Sequence, residues 1–193
     1  MCLILAQLRL FGQEYVDYYK GDTLVKADRN TYTIKYSKLY KRPYVYMHVK
    51  NANNIKREDI HGIMYVFYLQ DTKTFDEVVK ETFTQEELKA MYKEMRVISD
   101  SEPLTEWWIA FEFGVSVNKY TEGIETFEVY FYDTPSRRNI SLKKIEQMEN
   151  QLRERVRFKL FEGRRQFLQD ADVFLHDYVK VLFKNVIDDF GSL

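Results

Sequence analysis

Cysteine occurs once in the 193 residues, at position 2. A disulfide within the chain and a cysteine-ligated zinc site are both excluded. No histidine or positive helix end stands near Cys2 in sequence to activate its thiol. Glycine is scarce: the seven glycines stand at positions 12, 21, 62, 114, 123, 163 and 191 and form neither a G-x-G-x-x-G fingerprint nor a P-loop. The three histidines, His48, His61 and His176, are far apart, and neither H-E-x-x-H nor G-x-S-x-G occurs. No cofactor and no metal is expected from these patterns.

Long apolar runs are also missing. No stretch reaches the roughly 18 apolar residues of a membrane-spanning helix. The opening run, Met1 to Phe11, lacks a basic n-region and a small-residue cleavage site, and Gln7 and Arg9 break it. Position 2 is not glycine, which argues against myristoylation. A cytoplasmic protein of a bacterial host cell, without membrane association, is the expectation.

Rings, by contrast, abound. The chain has 15 Tyr, 14 Phe and 2 Trp against 7 Gly and 3 Pro. Many Tyr, Phe, Lys, Asn and Ile with few Ala, Gly and Pro is also what A+T-rich codons produce, so a low-G+C bacterium or its phage explains part of the bias. The hydrophobic fraction is 45% and the charged fraction 31%, as in an ordinary folded domain.

The periodicities predict an α+β fold: an antiparallel or mixed β-sheet with an inserted helix, followed by two C-terminal helices or one kinked helix. Residues 1–136 form the β-rich core, and 137–193 a helical part packed on it in the same domain. Leu3 to Phe11 reads as a strand and Lys20-Gly21-Asp22 as a turn. Tyr32, Ile34 and Tyr36 alternate with polar residues, as do Val45, Met47 and Val49. Ile63 to Leu69 suits a central strand buried on both faces. Thr84 stands three residues before Glu87, the spacing of a capping box, and Leu88, Met91, Tyr92 and Met95 follow at helical period, so a helix is predicted from Gln85 to Arg96. Residues 107–117 and 127–131 alternate and read as a hairpin. Ser141 is placed to cap a helix carrying Leu142, Ile145, Leu152 and Val156. A second helix is predicted from Arg165 to Phe190, with Gly163 either separating the two or kinking a single one. Its apolar surplus requires cover from the sheet, from its neighbour or from a second copy, which makes a homodimer through residues 165–190 an expectation.

Charge is the organised signal. The formal net charge is −1, yet residues 21–57 and 134–165 are basic and residues 58–133 acidic. In the first basic block Lys38, Lys41 and Arg42 interleave with tyrosines, which suits single-strand binding as well as it suits a soluble sheet edge. The second block is Arg137, Arg138, Lys143, Lys144, Arg153, Arg155, Arg157, Lys159, Arg164 and Arg165. On one continuous helix Arg153, Arg157 and Arg164 would share a face, and Arg suits bidentate phosphate contact. The plainer account pairs this face with Glu146, Glu149 and Glu154. The carboxylates Glu112, Glu122, Glu125, Glu128 and Asp133 can instead imitate a phosphate track.

No family motif maps onto the chain. The expected function is that of a non-enzymatic binding protein contacting nucleic acid or a nucleoprotein complex through the Arg/Lys blocks. A phage or mobile-element accessory factor fits, and an inhibitor of a host defence nuclease, such as an anti-CRISPR, is its sharpest form. The alternative is a divergent metal-dependent nuclease with carboxylates as metal ligands. Glu87-Leu88-Lys89 has a nuclease-like spacing, but on a helix the two charges point apart.

Overall fold

A computed structural model describes residues 16–39, 45–53, 66–71, 73–101, 108–169, 171–176 and 178–193. The expected first strand, Leu3 to Phe11, lies outside them, as do Cys2, His61 and Trp107. The chain is α+β. In order it forms β1 (Val16–Lys26), β2 (Thr31–Leu39), β3 (Val45–Asn51), β4 (Phe67–Leu69), α1 (Lys73–Thr82), α2 (Gln85–Ser101), β5 (Ile109–Asn118) and β6 (Ile124–Tyr132). There follow α3 (Pro135–Arg138), α4 (Leu142–Arg155), β7 (Phe158–Leu160), a 3-10 turn at Arg165–Gln169, β8 (Val173–Leu175), β9 (Val179–Leu182), α5 (Phe183–Val186) and a final 3-10 turn.

The main sheet is antiparallel, in the order β1-β2-β3-β6-β5, and β5 pairs with β8 at one end and β9 at the other. The alternating segments became strands for the predicted reason. Met47, Val49, Phe111, Phe113, Val115, Phe127, Val129 and Phe131 are all buried, and they line one face. On that face Phe83 stacks on Phe111 at 5.1 Å and Phe75 meets Phe113 at 5.3 Å, which docks α1 and the turn after it. Each such side chain contributes roughly 1.5–3 kcal/mol through its burial.

Both helix signals hold locally. Glu87 N–H donates to Thr84 Oγ1 at 3.3 Å and Thr84 N–H to the Glu87 carboxylate at 2.8 Å, a reciprocal capping box that starts α2. Ser141 caps α4, accepting from Lys144 N–H. Helix α1 is an addition to the predicted elements; Asp71 accepts from Lys73 N–H at 2.9 Å at its start.

Four expectations need correction. Lys20-Gly21-Asp22 is no turn: β1 runs through it, and the irregularity becomes two register shifts against β2. The segment ending at Leu69 is not a central strand. Its described part, β4, pairs only with β7 in a separate two-stranded sheet, leaving Tyr68 38% exposed. Helix α4 ends at Arg155, because Val156 is extended, and Gly163 sits in a turn at φ +76°. The long helix from Arg165 to Phe190 is absent. That segment is a 3-10 turn, two strands and a four-residue helix.

The last error has a physical cause. Apolar residues are so dense from Phe167 to Ile187 that they satisfy a helical and a strand period alike. The exposed edge of β5 decides between them, since its backbone groups need ladder partners. β8 and β9 supply these with β-branched Val173, Val179 and Val181. Phe174, Val181, Phe183, Val186 and Ile187 are consequently buried within the same chain. The apolar row that motivated a homodimer is spent on the core. No helix of the described residues is long and apolar enough to cross a membrane.

Candidate functional site

The second basic block does not form one face. Arg137 is fully buried; its Nη2 donates to the carbonyls of Ile109 (3.2 Å) and Ala110 (2.9 Å), and its guanidinium lies 5.5 Å from the Phe183 ring. It holds α3 to the start of β5 and is closed to a partner. Arg138 makes a two-pronged contact with Asp133, at 2.7 and 2.9 Å. Lys144 reaches Glu87 at 2.5 Å and Lys143 reaches Asp28 at 3.2 Å. Arg155 bridges from α4 to Glu77 (2.6 Å) and Glu81 (2.8 Å) on α1.

Arg153 is a structural clamp. It donates through Nε and Nη2 to Glu149 at 2.9 and 2.7 Å, and through Nη1 to the Ile124 and Glu125 carbonyls. Glu149 is fully buried and also accepts from Tyr32 Oη at 2.6 Å and Asn51 Nδ2 at 2.7 Å. One turn earlier, the buried carboxylate of Glu146 accepts backbone N–H bonds from Asp28 (3.1 Å), Arg29 (2.9 Å) and Asn30 (2.6 Å). Burial and the bond to Glu149 hold the Tyr32 phenol well above its ordinary range. These two glutamates, expected on a solvated face, fasten α4 to the β1–β2 turn.

Among the described residues, Arg157, Lys159, Arg164 and Arg165 remain exposed and without a carboxylate partner. The two-stranded sheet brings them together with rings. Lys159 pairs across from Tyr68, and the period of two along β7 puts Arg157, Lys159 and Phe161 on its outward side while Phe158 and Leu160 face in. Tyr68 and Phe161 touch, with ring centroids 4.9 Å apart. Arg157 also donates to the carbonyls of Arg153 and Val156, at the end of α4. A turn closed by Arg164 N–H to Phe161 O at 3.1 Å returns the chain past the same rings. Its third residue is Gly163, whose positive φ is natural for glycine. Beside the rings lies a groove of about 750 Å³ lined by Tyr68, Leu160, Phe161, Glu162, Gly163 and Arg165.

Sequence reasoning missed Tyr68 and Phe161. The alternation Arg157-Phe158-Lys159-Leu160-Phe161 was a usable signal, hidden by reading a helix through it. Of the first block, Lys38 lies on β2 opposite Asp17 and Val45, and Lys41 and Arg42 fall outside the described residues.

The acidic middle is not a free phosphate track. Glu128 pairs with Lys50 at 2.9 Å, Glu125 accepts from Asn118 at 3.0 Å, and Asp133 is taken by Arg138. Glu128 belongs to a polar network on the sheet face opposite the core. Register aligns Lys35, His48, Tyr130, Glu112 and Lys180 in one row across five strands. Tyr130 donates to Glu128, His48 meets the Tyr130 ring edge-on at 4.4 Å, and Tyr130 meets Tyr178 at 5.4 Å. Gly114 makes the room: a Cβ there would stand 3.1 Å from the Tyr130 ring and 3.3 Å from that of Tyr178. Burial holds the Tyr130 phenol far above its ordinary range, with the negative charge of Glu128 as the next cause.

Burial also pushes the His48 imidazole down to about 4; Glu128 opposes this shift and Lys35 adds to it. The unfolded chain then binds more protons than the folded one between about pH 6.5 and pH 4. Stability from this group is therefore present above pH 6.5 and is lost as pH falls towards 4, by about 2–3 kcal/mol. The acid limb of a urea-midpoint profile is expected to flatten in His48→Gln relative to the parent chain. An identical slope in both proteins would refute the assignment.

Among the described residues no three His, Cys, Asp or Glu side chains are grouped as a metal site requires. Glu87 and Lys89, on α2, turn to Lys144 and Asp189 respectively.

No family model matches the chain, and no curated protein does. A solved structure resembles it: the crystal structure of a DUF5043 family protein from Bacteroides uniformis ATCC 8492. The two are 15% identical, the alignment covers 88% of this chain and 89% of that one, and the TM-score is 0.44. A likeness of that size identifies neither a family nor an activity.

Proposed function

We propose that this chain is a non-enzymatic binding protein that engages nucleic acid by occupancy, through the patch of Arg157, Lys159, Arg164 and Arg165. The observation that carries this reading is selective neutralisation. Most cations of the second basic block are consumed by carboxylates or buried within the fold, and the four that are not lie in one short stretch beside exposed rings. Cations kept unpaired while their neighbours are paired are the feature phosphate binding needs. The narrower reading, an inhibitor of a host defence nuclease acting as an anti-CRISPR does, would use the same patch against a nucleoprotein complex. It draws less support from the acidic residues, because Glu125, Glu128 and Asp133 are engaged within the chain.

Binding of a labelled oligonucleotide, followed by fluorescence anisotropy over a salt series, tests this. With four phosphates neutralised, log K is expected to fall against log salt with a slope of about −3 on a single strand. Charge reversal at Lys159 and Arg165 together is expected to weaken binding by at least about tenfold while the thermal midpoint stays unchanged. Absence of binding at low salt would end the proposal. Mg²⁺-dependent cleavage of the oligonucleotide, abolished by chelator, would replace it with the nuclease reading.

A further inference from the structure

We infer that the Tyr68–Phe161 pair is a stacking platform for unpaired bases, so that the patch selects single-stranded nucleic acid over duplex. This rests on the occupancy reading and names its ligand class.

Three features of the β4–β7 tip point the same way. First, the pair presents ring surface: Tyr68 and Phe161 are 38% and 39% exposed. Phe67, next to Tyr68, and Phe158, at the start of β7, are buried, so the inner face of the two strands is the core-facing one and Tyr68 and Phe161 stand on the other. A two-stranded sheet with a buried inner face had polar residues available for its outer face. Rings stand there instead.

Second, cations stand beside the rings. Lys159 is directly opposite Tyr68 in the ladder and two residues from Phe161, while Arg165 lines the groove beside the rings. A single strand with a base on a ring therefore finds cations close by for its phosphates. Duplex DNA keeps its base faces inside the stack and can offer this surface phosphates only. Stacking is tolerant of sequence because every base has a π-face.

Third, the platform is set on a short rigid frame. Phe161 N–H donates to Val66 O at 2.9 Å, which extends the ladder past β7, and the turn at Gly163 returns Arg164 and Arg165 towards the groove. Arg164, which follows the turn, has its guanidinium 5.5 Å from the Phe167 ring.

The experiment compares four labelled probes of about 12 units on the unmodified chain: oligo(dT), an abasic strand of equal length, duplex DNA and polyphosphate. Oligo(dT) is expected to bind at least about tenfold more tightly than the abasic strand, whose phosphates are the same but whose bases are gone. Tyr68→Leu and Phe161→Leu are each expected to weaken oligo(dT) about tenfold and to leave polyphosphate within about twofold. Tyr68→Phe, which keeps the ring, is expected to retain affinity. Equal affinity for oligo(dT) and the abasic strand would overturn the inference while leaving the polyanion reading intact. So would duplex bound as tightly as single strand. Failure to bind any of the four probes would sink both. The abasic comparison uses no variant, so it decides the matter even if the leucine variants fold poorly.

Discussion

Replacing Glu149 by alanine is expected to destabilise the fold by about 3–5 kcal/mol. The carboxylate is fully buried and accepts from five donor atoms on four side chains: Tyr32 Oη, Asn51 Nδ2, Asn30 Nδ2 at a long 3.5 Å, and Nε and Nη2 of Arg153. Its removal leaves a phenol, an amide and a guanidinium without their acceptor where water is scarce. Orphaned buried donors cost more than an average hydrogen bond gains. Glu149→Gln keeps the shape but turns an amide NH₂ towards a set of donors, so it is expected to lose a large part of the same stability. Glu154, exposed on the same helix, is the control, and Glu154→Ala is expected to stay within about 0.5 kcal/mol of the parent. Urea unfolding at neutral pH reads all three, and at this chain length the alanine variant is expected to melt about 10 °C lower. An unchanged midpoint for Glu149→Ala would refute the stabilising role of this buried carboxylate. By the same logic Arg153→Ala is expected to damage the fold, because its guanidinium is the other half of this clamp.

Arg137→Ala is expected to cost about 3 kcal/mol or more. Arg137 is the largest of the fully buried side chains, so truncation opens a cavity and also strips the Ile109 and Ala110 carbonyls of a charged donor. Its Nη1 further contacts Met95 Sδ at 3.4 Å, which ties α2 into the same joint. Arg137→Lys keeps the charge without the planar fork that reaches two adjacent carbonyls, and is expected to fall between the parent and the alanine variant. Two readouts separate a structural role from a binding role. The unfolding midpoint is expected to drop in both variants, whereas oligonucleotide affinity, measured well below the midpoint, is expected to match that of the parent. Reduced affinity in a fully folded Arg137→Lys would return this residue to the interface.

The elements that short-range pattern decides were legible in the sequence. The capping signals at Thr84 and Ser141 mark real helix starts, and the alternations along β2, β3, β5 and β6 became antiparallel strands, with Tyr32, Met47, Val49 and the inward phenylalanines of β5 and β6 buried and Ile34 and Tyr36 half-buried. From Phe167 to Ile187 pattern failed, because the apolar residues are dense enough to fit a helical and a strand period alike. There the open edge of β5 chose strand. The rings of the candidate site were lost for a related reason. Tyr68 sits in an apolar run that reads as buried on both faces, and only its pairing with the three-residue β7 turns it outward.

The basic and acidic blocks are properties of the chain written as a line, and the sequence by itself determined them, along with the α+β class and the absence of a cysteine framework. Which charges survive as a surface was decided only by tertiary structure. Arg155 meets Glu77 and Glu81 from α1, Lys144 meets Glu87, and Lys143 meets Asp28, every partner at least 57 positions away along the chain. Coulomb attraction depends on distance in space, so blocks that add along the sequence cancel when folding lays them together. What escapes cancellation is the short run from Arg157 to Arg165 at the two-stranded sheet, where β4 brings a ring opposite Lys159 and Glu162 is the one acidic residue within the run.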